Sequence, residues 1–210
     1  MGGANVAIAA SGLLLVLFSL AHLTGLGLAW WDPAGFERYA AALHQASWLP
    51  LAELGLLLLL ILHPAQALVR ALANRIARGG GSVQRRSRRE GGVEPLAALA
   101  GRLMPWSGAL LLLFVPVHLA QLRLRRPAAG EELVALQAVL RQPHWLALYA
   151  AAGVALTLHL VHGQESAPRR LGLLEPRNAS LIRWFGRGLA LLIGASFTLV
   201  PFVLLGSGKP

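Results

Sequence analysis

The chain has 210 residues, 56% of them hydrophobic and 13% charged, with a mean hydropathy of +0.58 and a formal net charge of +10. So oily and charge-poor a composition excludes an ordinary soluble domain and belongs in a bilayer. There is no cysteine, which excludes disulfides, cysteine-held iron–sulfur clusters and covalent c-type haem attachment, and leaves histidine to hold any metal or cofactor.

Stretches without Asp, Glu, Lys or Arg run from Asn5 to Trp30, Leu54 to Val69, Leu103 to Leu122, Pro143 to Gln164 and Gly188 to Gly208. Each approaches or exceeds the roughly 17–25 residues of a spanning helix. They predict an all-α bundle of five transmembrane helices over residues 5–30, 47–70, 101–123, 143–165 and 184–206, in one domain covering 1–210, with a cytoplasmic loop over 71–100. The first stretch has no basic residue before it and exceeds the roughly 7–15 residues of a signal-peptide core, so it reads as a retained helix. The second is long enough only when it begins near Ser47, which takes Glu53 into the membrane.

The arginines sort by side. Eight fall between Arg70 and Arg102, between spans two and three, and five between Arg169 and Arg187, between spans four and five. The opposite loops carry Arg38, Arg123, Arg125, Arg126 and Arg141, and the tail Lys209. By the positive-inside rule the arginine-rich side is cytoplasmic, with the N-terminus inside and the C-terminus outside. Gly79-Gly80-Gly81 and the arginines from Arg85 to Arg89 therefore read as solvated loop, and no nucleic-acid partner is expected.

Four of the seven histidines lie in the apolar spans: His22, His63, His118 and His159. His22 and His63 are 41 residues apart, as are His118 and His159, and each member of the first pair precedes its counterpart by 96. Flanking sequence repeats too. Ser11-Gly12-Leu13-Leu14-Leu15-Val16-Leu17-Phe18 before His22 parallels Ser107-Gly108-Ala109-Leu110-Leu111-Leu112-Leu113-Phe114 before His118. Gln45, Trp48 and Leu49 likewise parallel Gln142, Trp145 and Leu146, with one residue of slippage. The first four helices thus form a duplicated two-helix unit.

Helix direction sets depth. His22 and His118 fall late in outward-running helices and form an outer pair, whereas His63 and His159 fall late in inward-running ones and form an inner pair. Iron in a b-type haem takes two axial nitrogens from opposite sides, and a four-helix frame suits two such sites. Desolvating four imidazoles for no shared purpose would cost stability. Ser11, eleven residues before His22, lies on the same helix face about 16 Å lower at ~1.5 Å per residue. Ser11 and Ser107 are thereby expected to approach the inner haem.

With Ser11-Gly12 through His22-Leu23, Ser107-Gly108 through His118-Leu119, Leu148-Tyr149 to Leu158-His159-Leu160-Val161-His162-Gly163, and Leu171-Gly172-Leu173, the chain resembles the cytochrome b membrane anchor of succinate:quinone oxidoreductases. Within this group of succinate dehydrogenases and fumarate reductases, the likeness is to the single-polypeptide, five-helix, di-haem type found with menaquinone. The resemblance implies that His22, His63, His118 and His159 ligate the irons of two haem b groups and that the fifth helix brings no ligand. It implies a bacterial cytoplasmic membrane, membrane lipid around the chain, and menaquinone or another quinone as substrate. It also implies a flavoprotein partner with FAD and an iron–sulfur subunit that relays electrons, with a higher oligomer of the complex left open. None of the dicarboxylate chemistry would fall to this chain, which would carry electrons in the respiratory chain in either direction. The interval from His63 to His118, 55 residues, is wider than the family's near-even spacing, and the excess falls in the cytoplasmic loop where soluble subunits would dock.

Quinone chemistry couples electrons to protons and needs a titratable or hydrogen-bonding group near a haem edge. Glu37, Arg38 and His44 in the first outer loop are candidates; the family's quinol site lies toward this side and includes an acidic residue, which favours Glu37. Glu53 is a candidate proton-path residue, because an intramembrane acid costs several kcal/mol unless it is protonated, paired or hydrated. Arg102, Arg123 and Arg183, near helix ends, are candidates for haem propionates or for snorkelling to headgroups. His162 is a candidate propionate or quinone contact, and His144 beside Trp145 an interfacial residue. Two other readings stay open: the quinone-reactive cytochrome b of another respiratory dehydrogenase, and a haem-free transporter or assembly factor whose histidines form a proton or metal path.

Overall fold

A computed structural model describes residues 3–77 and 95–206. Within them the chain is helical: α1 (Gly3–Trp31), α2 (Pro33–Gln45), α3 (Leu49–Ala77), α4 (Pro95–His118) prolonged by a π-helical turn (Leu119–Arg123), α5 (Glu132–Leu140), α6 (Pro143–Arg170) and α7 (Ala179–Gly206). Five of these, α1, α3, α4 with its π turn, α6 and α7, are long and apolar enough to cross a membrane. The chain is a multi-pass membrane protein. Helices suit such spans because they satisfy every backbone polar group internally where no water is at hand.

Several spans overrun a predicted end, although α3 begins at Leu49, inside the predicted start at 47. α3 continues to Ala77 and α4 begins at Pro95, so both edges of the expected 71–100 loop are helical. Residues 78–94, including Arg78, Gly79-Gly80-Gly81 and Arg85, Arg86, Arg88 and Arg89, lie outside the described residues, as does Lys209.

Two short helices have no counterpart among the predicted spans. α2 starts at Asp32-Pro33, where the Asp32 carboxylate accepts from the Gly35 amide at 2.9 Å and the proline occupies the first turn. Before α5 the chain turns at Gly130 with φ 90°, a left-handed conformation that glycine adopts without steric cost. α2 packs on α1 and α5, and α5 also on α6 and α7. The C-terminal ends of α1 and α4 and the N-terminal ends of α3 and α6 therefore share one end of the bundle, called here the upper end, with α2 and α5 lying across it.

α6 and α7 form the tightest seam. A Cβ on Gly153 would sit 2.6 Å from the Thr198 amide nitrogen, and one on Gly194 2.6 Å from the Thr157 Cα. The two glycine–threonine pairs, each four residues apart, thus interlock in antiparallel fashion, as small residues do where membrane helices approach closely. Both hydroxyls turn back on their own helix, Thr157 to the Gly153 carbonyl at 3.0 Å and Thr198 to that of Gly194 at 2.7 Å. α1 and α4 lean on this seam through Val16, Ala100, Leu160, Val161, Ala190 and Ile193. A second cluster, Ala29, Leu136, Leu140 and Leu204, seats α5 over the upper end, and Gln137 donates to the Leu204 carbonyl at 2.9 Å.

α3 is the peripheral span. It has no buried residue and packs on α1, with a light contact to α2.

Gly194→Leu is expected to split the α6–α7 seam and to cost roughly 1–3 kcal/mol through overpacking. Gly188→Ala, where an added Cβ meets nothing within 4 Å, is the control. Thermal melting of the two variants in detergent checks this; equal melting points would contradict the interlock.

Candidate functional site

His22 on α1 faces His118 on α4, with ring centroids 5.9 Å apart and planes at 78°. His63 on α3 faces His159 on α6 at 6.2 Å and 66°. Each pair joins one helix of the first repeat to one of the second. Ser11 measures the spacing between them: its hydroxyl lies 3.1 Å from His63 Nδ1, and it stands eleven residues, about 16 Å, along α1 from His22. His22 and His118 form the upper pair, His63 and His159 the lower.

The helices that carry each pair do not pack on one another. Packed helices sit about 8–10 Å apart, yet α1 with α4, and α3 with α6, make next to no backbone contact. The imidazoles of each pair thus meet from helices that do not pack directly on each other, while α1 and α6 pack between the halves. Glycines let the lower rings in. A Cβ on Gly12 would lie 3.2 Å from His63 Cε1, and one on Gly108 3.5 Å from His159 Cε1. These glycines hold the same place in the two repeats. The Ser-Gly repeat was visible in the sequence, but its glycine half was not connected to the histidine of the neighbouring helix.

Aromatic rings frame the upper pair. Phe18 stacks on His22 at 5.6 Å and Phe114 on His118 at 5.5 Å, four residues earlier on each helix. Phe197 from α7 closes on the other side of His22 at 5.9 Å. The fifth span, which has no histidine, thereby contributes a ring. Tyr149, edge-on to Phe114 at 4.9 Å, places its hydroxyl 3.1 Å from His118 Nδ1 and donates to Gln121 Oε1 at 3.0 Å. Gln121 belongs to the π turn, where the Leu124 amide reaches the Leu119 carbonyl at 2.8 Å. Such turns recur at functional sites because the extra residue re-aims the side chains after it.

The remaining candidates separate by location. Arg123, at the end of the π turn, makes a two-pronged ion pair with Glu53 of α3 at 2.6 and 2.9 Å. The intramembrane acid is thus paired, and the arginine is engaged by a carboxylate of the same chain. Ser107 donates to the Met104 carbonyl at 3.1 Å. Arg38 is exposed, 3.4 Å from Asp32, Arg102 is exposed on α4, and His144 stacks at a tilt on Trp145 at 4.6 Å. His162 neighbours His159 one turn nearer the lower end. There Glu165 accepts from Arg169 at 3.0 Å and lies 3.9 Å from Arg183.

At the upper end Glu37 of α2 caps α5, accepting from the Glu132 and Leu133 amides at 3.3 and 2.9 Å. No side chain on α5's own N-terminal residue does so, and the sequence offered no sign that α2 would. The Glu132 carboxyl adjoins that of Glu37, and His44 stands 3.6 Å from Glu132. Burial and the adjoining Glu132 carboxyl push the Glu37 carboxyl up. The same contact, with backbone amides and His44, outweighs burial at Glu132 and holds it down. Burial, with the charge of Arg126, pushes His44 down. The two acids that fasten α2 to α5 are thus driven apart in pKa, Glu37 upward and Glu132 downward. Between the π turn, the C-terminal part of α5 and the start of α6 an open groove of ≈ 320 Å³ is lined by Gln121, Arg125, Ala138, Val139, Gln142 and Trp145.

The chain matches no family model, no curated protein and no solved structure. What the site can hold follows from its donors alone. Among the described residues no three histidine, cysteine or acidic side chains come together for a bare metal ion. Each pair instead offers two imidazoles that face each other, which suits a metal whose other ligands come from a planar macrocycle.

Glu37→Ala is expected to cost about 1–2 kcal/mol, the worth of a side-chain cap on a helix N-terminus. Because the Glu37 pKa is raised in the fold, its protonated form adds stability at acidic pH that is lost as pH rises through that raised value. Glu37→Gln keeps an acceptor for the amides and stays neutral, so it should flatten this loss. Melting curves from acidic to neutral pH check it; an unchanged slope would contradict the raised Glu37 pKa.

Proposed function

We propose that this chain is a di-haem cytochrome b that anchors a respiratory complex in the membrane and passes electrons between an iron–sulfur subunit and a quinone, in the manner of succinate:quinone oxidoreductases. The observation that carries the reading is the spacing of the two histidine pairs. Two metal–nitrogen bonds of about 2 Å, with about 1.1 Å from each nitrogen to its ring centre, separate two opposed imidazoles by about 6.2 Å. The centroids lie 5.9 and 6.2 Å apart. Edge-to-face ring pairs also fall in this range, but they form between packed elements, and here the carrying helices stand apart at both levels.

Bound haem supplies reversible one-electron carriage. The chain's own part is to present His22 with His118 and His63 with His159 as opposed donors, to admit the lower rings at Gly12 and Gly108, and to shield the upper ones with Phe18, Phe114 and Phe197. The Arg123–Glu53 pair ties α4 to α3 across the sides of the bundle, and Glu37 ties α2 to α5 above it. The groove beside Gln121, Arg125, Gln142 and Trp145 offers amide, guanidinium and indole donors to the carbonyls of a lipid-borne quinone. With the arginine-rich loops inside, the upper end faces outward in a bacterial cytoplasmic membrane, and the flavoprotein and iron–sulfur subunits dock at the lower end. Electrons from succinate would enter at the lower pair and reach quinone near the upper one, and fumarate reduction would run them backwards.

Purified chain is expected to show a b-type reduced-minus-oxidised spectrum and two haems per polypeptide. His63→Ala should remove one haem and leave the other. A wild-type chain without b-type bands overturns the proposal in favour of a haem-free transporter or assembly factor. Co-purification with a flavoprotein and succinate-dependent quinone reduction identifies the complex, whereas a different dehydrogenase partner would assign the cytochrome to that enzyme.

A further inference from the structure

The two histidine pairs repeat in sequence, but the hydrogen bonds around them do not. In the lower pair His63 Nδ1 meets the Ser11 hydroxyl at 3.1 Å, while the serine's single hydrogen goes to the Ile8 carbonyl at 3.2 Å. With its hydrogen committed, the serine oxygen can only accept, so His63 Nδ1 carries the proton. In the upper pair the logic recurs through other residues. The Tyr149 hydroxyl gives its hydrogen to Gln121 Oε1 at 3.0 Å and lies 3.1 Å from His118 Nδ1, so His118 Nδ1 is the donor.

Their partners are held differently. His159 Nδ1 is buried without a hydrogen-bond partner, and Ser107, the counterpart of Ser11, donates to the Met104 carbonyl. His22 is sandwiched between Phe18 and Phe197. Each pair therefore contains one imidazole held by a hydrogen bond, His63 below and His118 above, and these come from opposite halves of the repeat.

We infer that Ser11 and Tyr149, the latter set by Gln121, are positioning residues that lock His63 and His118 in the Nδ1–H tautomer. That tautomer leaves Nε2 unprotonated as the metal-binding nitrogen, and an oxygen accepting the Nδ1 proton makes the ring a stronger donor to a metal. The inference rests on the haem reading for its consequence and on the hydrogen bonds alone for its geometry. A stronger donor favours the oxidised iron, so losing the acceptor should raise the potential of the haem concerned and leave the other unchanged.

The test is redox titration of the full chain with Ser11→Ala, Ser11→Thr and Tyr149→Phe, alongside 15N spectra of histidine-labelled chain prepared without haem. Ser11→Ala should raise the lower haem's midpoint alone, Ser11→Thr should restore it, and Tyr149→Phe should raise the upper haem's alone. The spectra should show His63 and His118 as Nδ1–H in the wild type, with a tautomer mixture at the affected histidine in Ser11→Ala and Tyr149→Phe. Potentials that move together or not at all, or wild-type spectra showing Nε2–H at either residue, overturn the inference. If no haem binds, the functional reading falls, and the spectra still decide the tautomers.

Discussion

An imidazole in hydrocarbon is a polar group without water, and four of them constrain this bundle more than any other residues. Each must be hydrogen-bonded, stacked or bound to something, since an unsatisfied polar group in lipid costs several kcal/mol. The fold answers with one arrangement used twice. Two imidazoles meet from helices of different repeats, one of them steadied by an oxygen. Gly12, Gly108, the phenylalanines and the π turn all take their positions from the need to seat these rings.

The rest of the structure holds the helices of each pair apart. Helices that closed to ordinary packing distance would leave no room for two facing imidazoles. The repeats meet directly where α1 packs on α6 and are further braced from their margins. α6 and α7 interlock through Gly153, Thr157, Gly194 and Thr198. α2 and α5 are joined over the top by Glu37, and Arg123 reaches from α4 to Glu53 on α3. Charged groups thus serve at the edges, where partial exposure lowers their desolvation cost, while the centre is left to rings and glycines.

The five spans were legible because membrane helices must be long, apolar and nearly free of charge, a signal that survives without any tertiary information. The pairing of the histidines was legible for a similar reason: a duplicated unit with alternating helix direction fixes depth by arithmetic. The cap helices were harder. Asp32-Pro33 is a readable helix start, but the short segments after it and after Gly130 look like loops beside such long neighbours. Tyr149 and Gln121 were beyond reach, because they come from different helices and meet only through a π turn whose extra residue leaves no mark in composition. Glu37, Glu53 and Arg123 stood out as charges, yet their partners depend on the placement of α2 and α3, which hydropathy does not specify.

α3 deserves a last consequence. A span whose residues are at most half-buried keeps much of its lipid contact, so its insertion is governed by hydropathy and its docking rests mainly on α1. The contacts that turn it toward α6 are few: His63 against Ser11 and Gly12 near its middle, and Glu53 with Arg123 toward its upper end. The helix that carries His63 is thus the one of the five spans with the most lipid around it, and its ring is set by neighbours on α1 and α6.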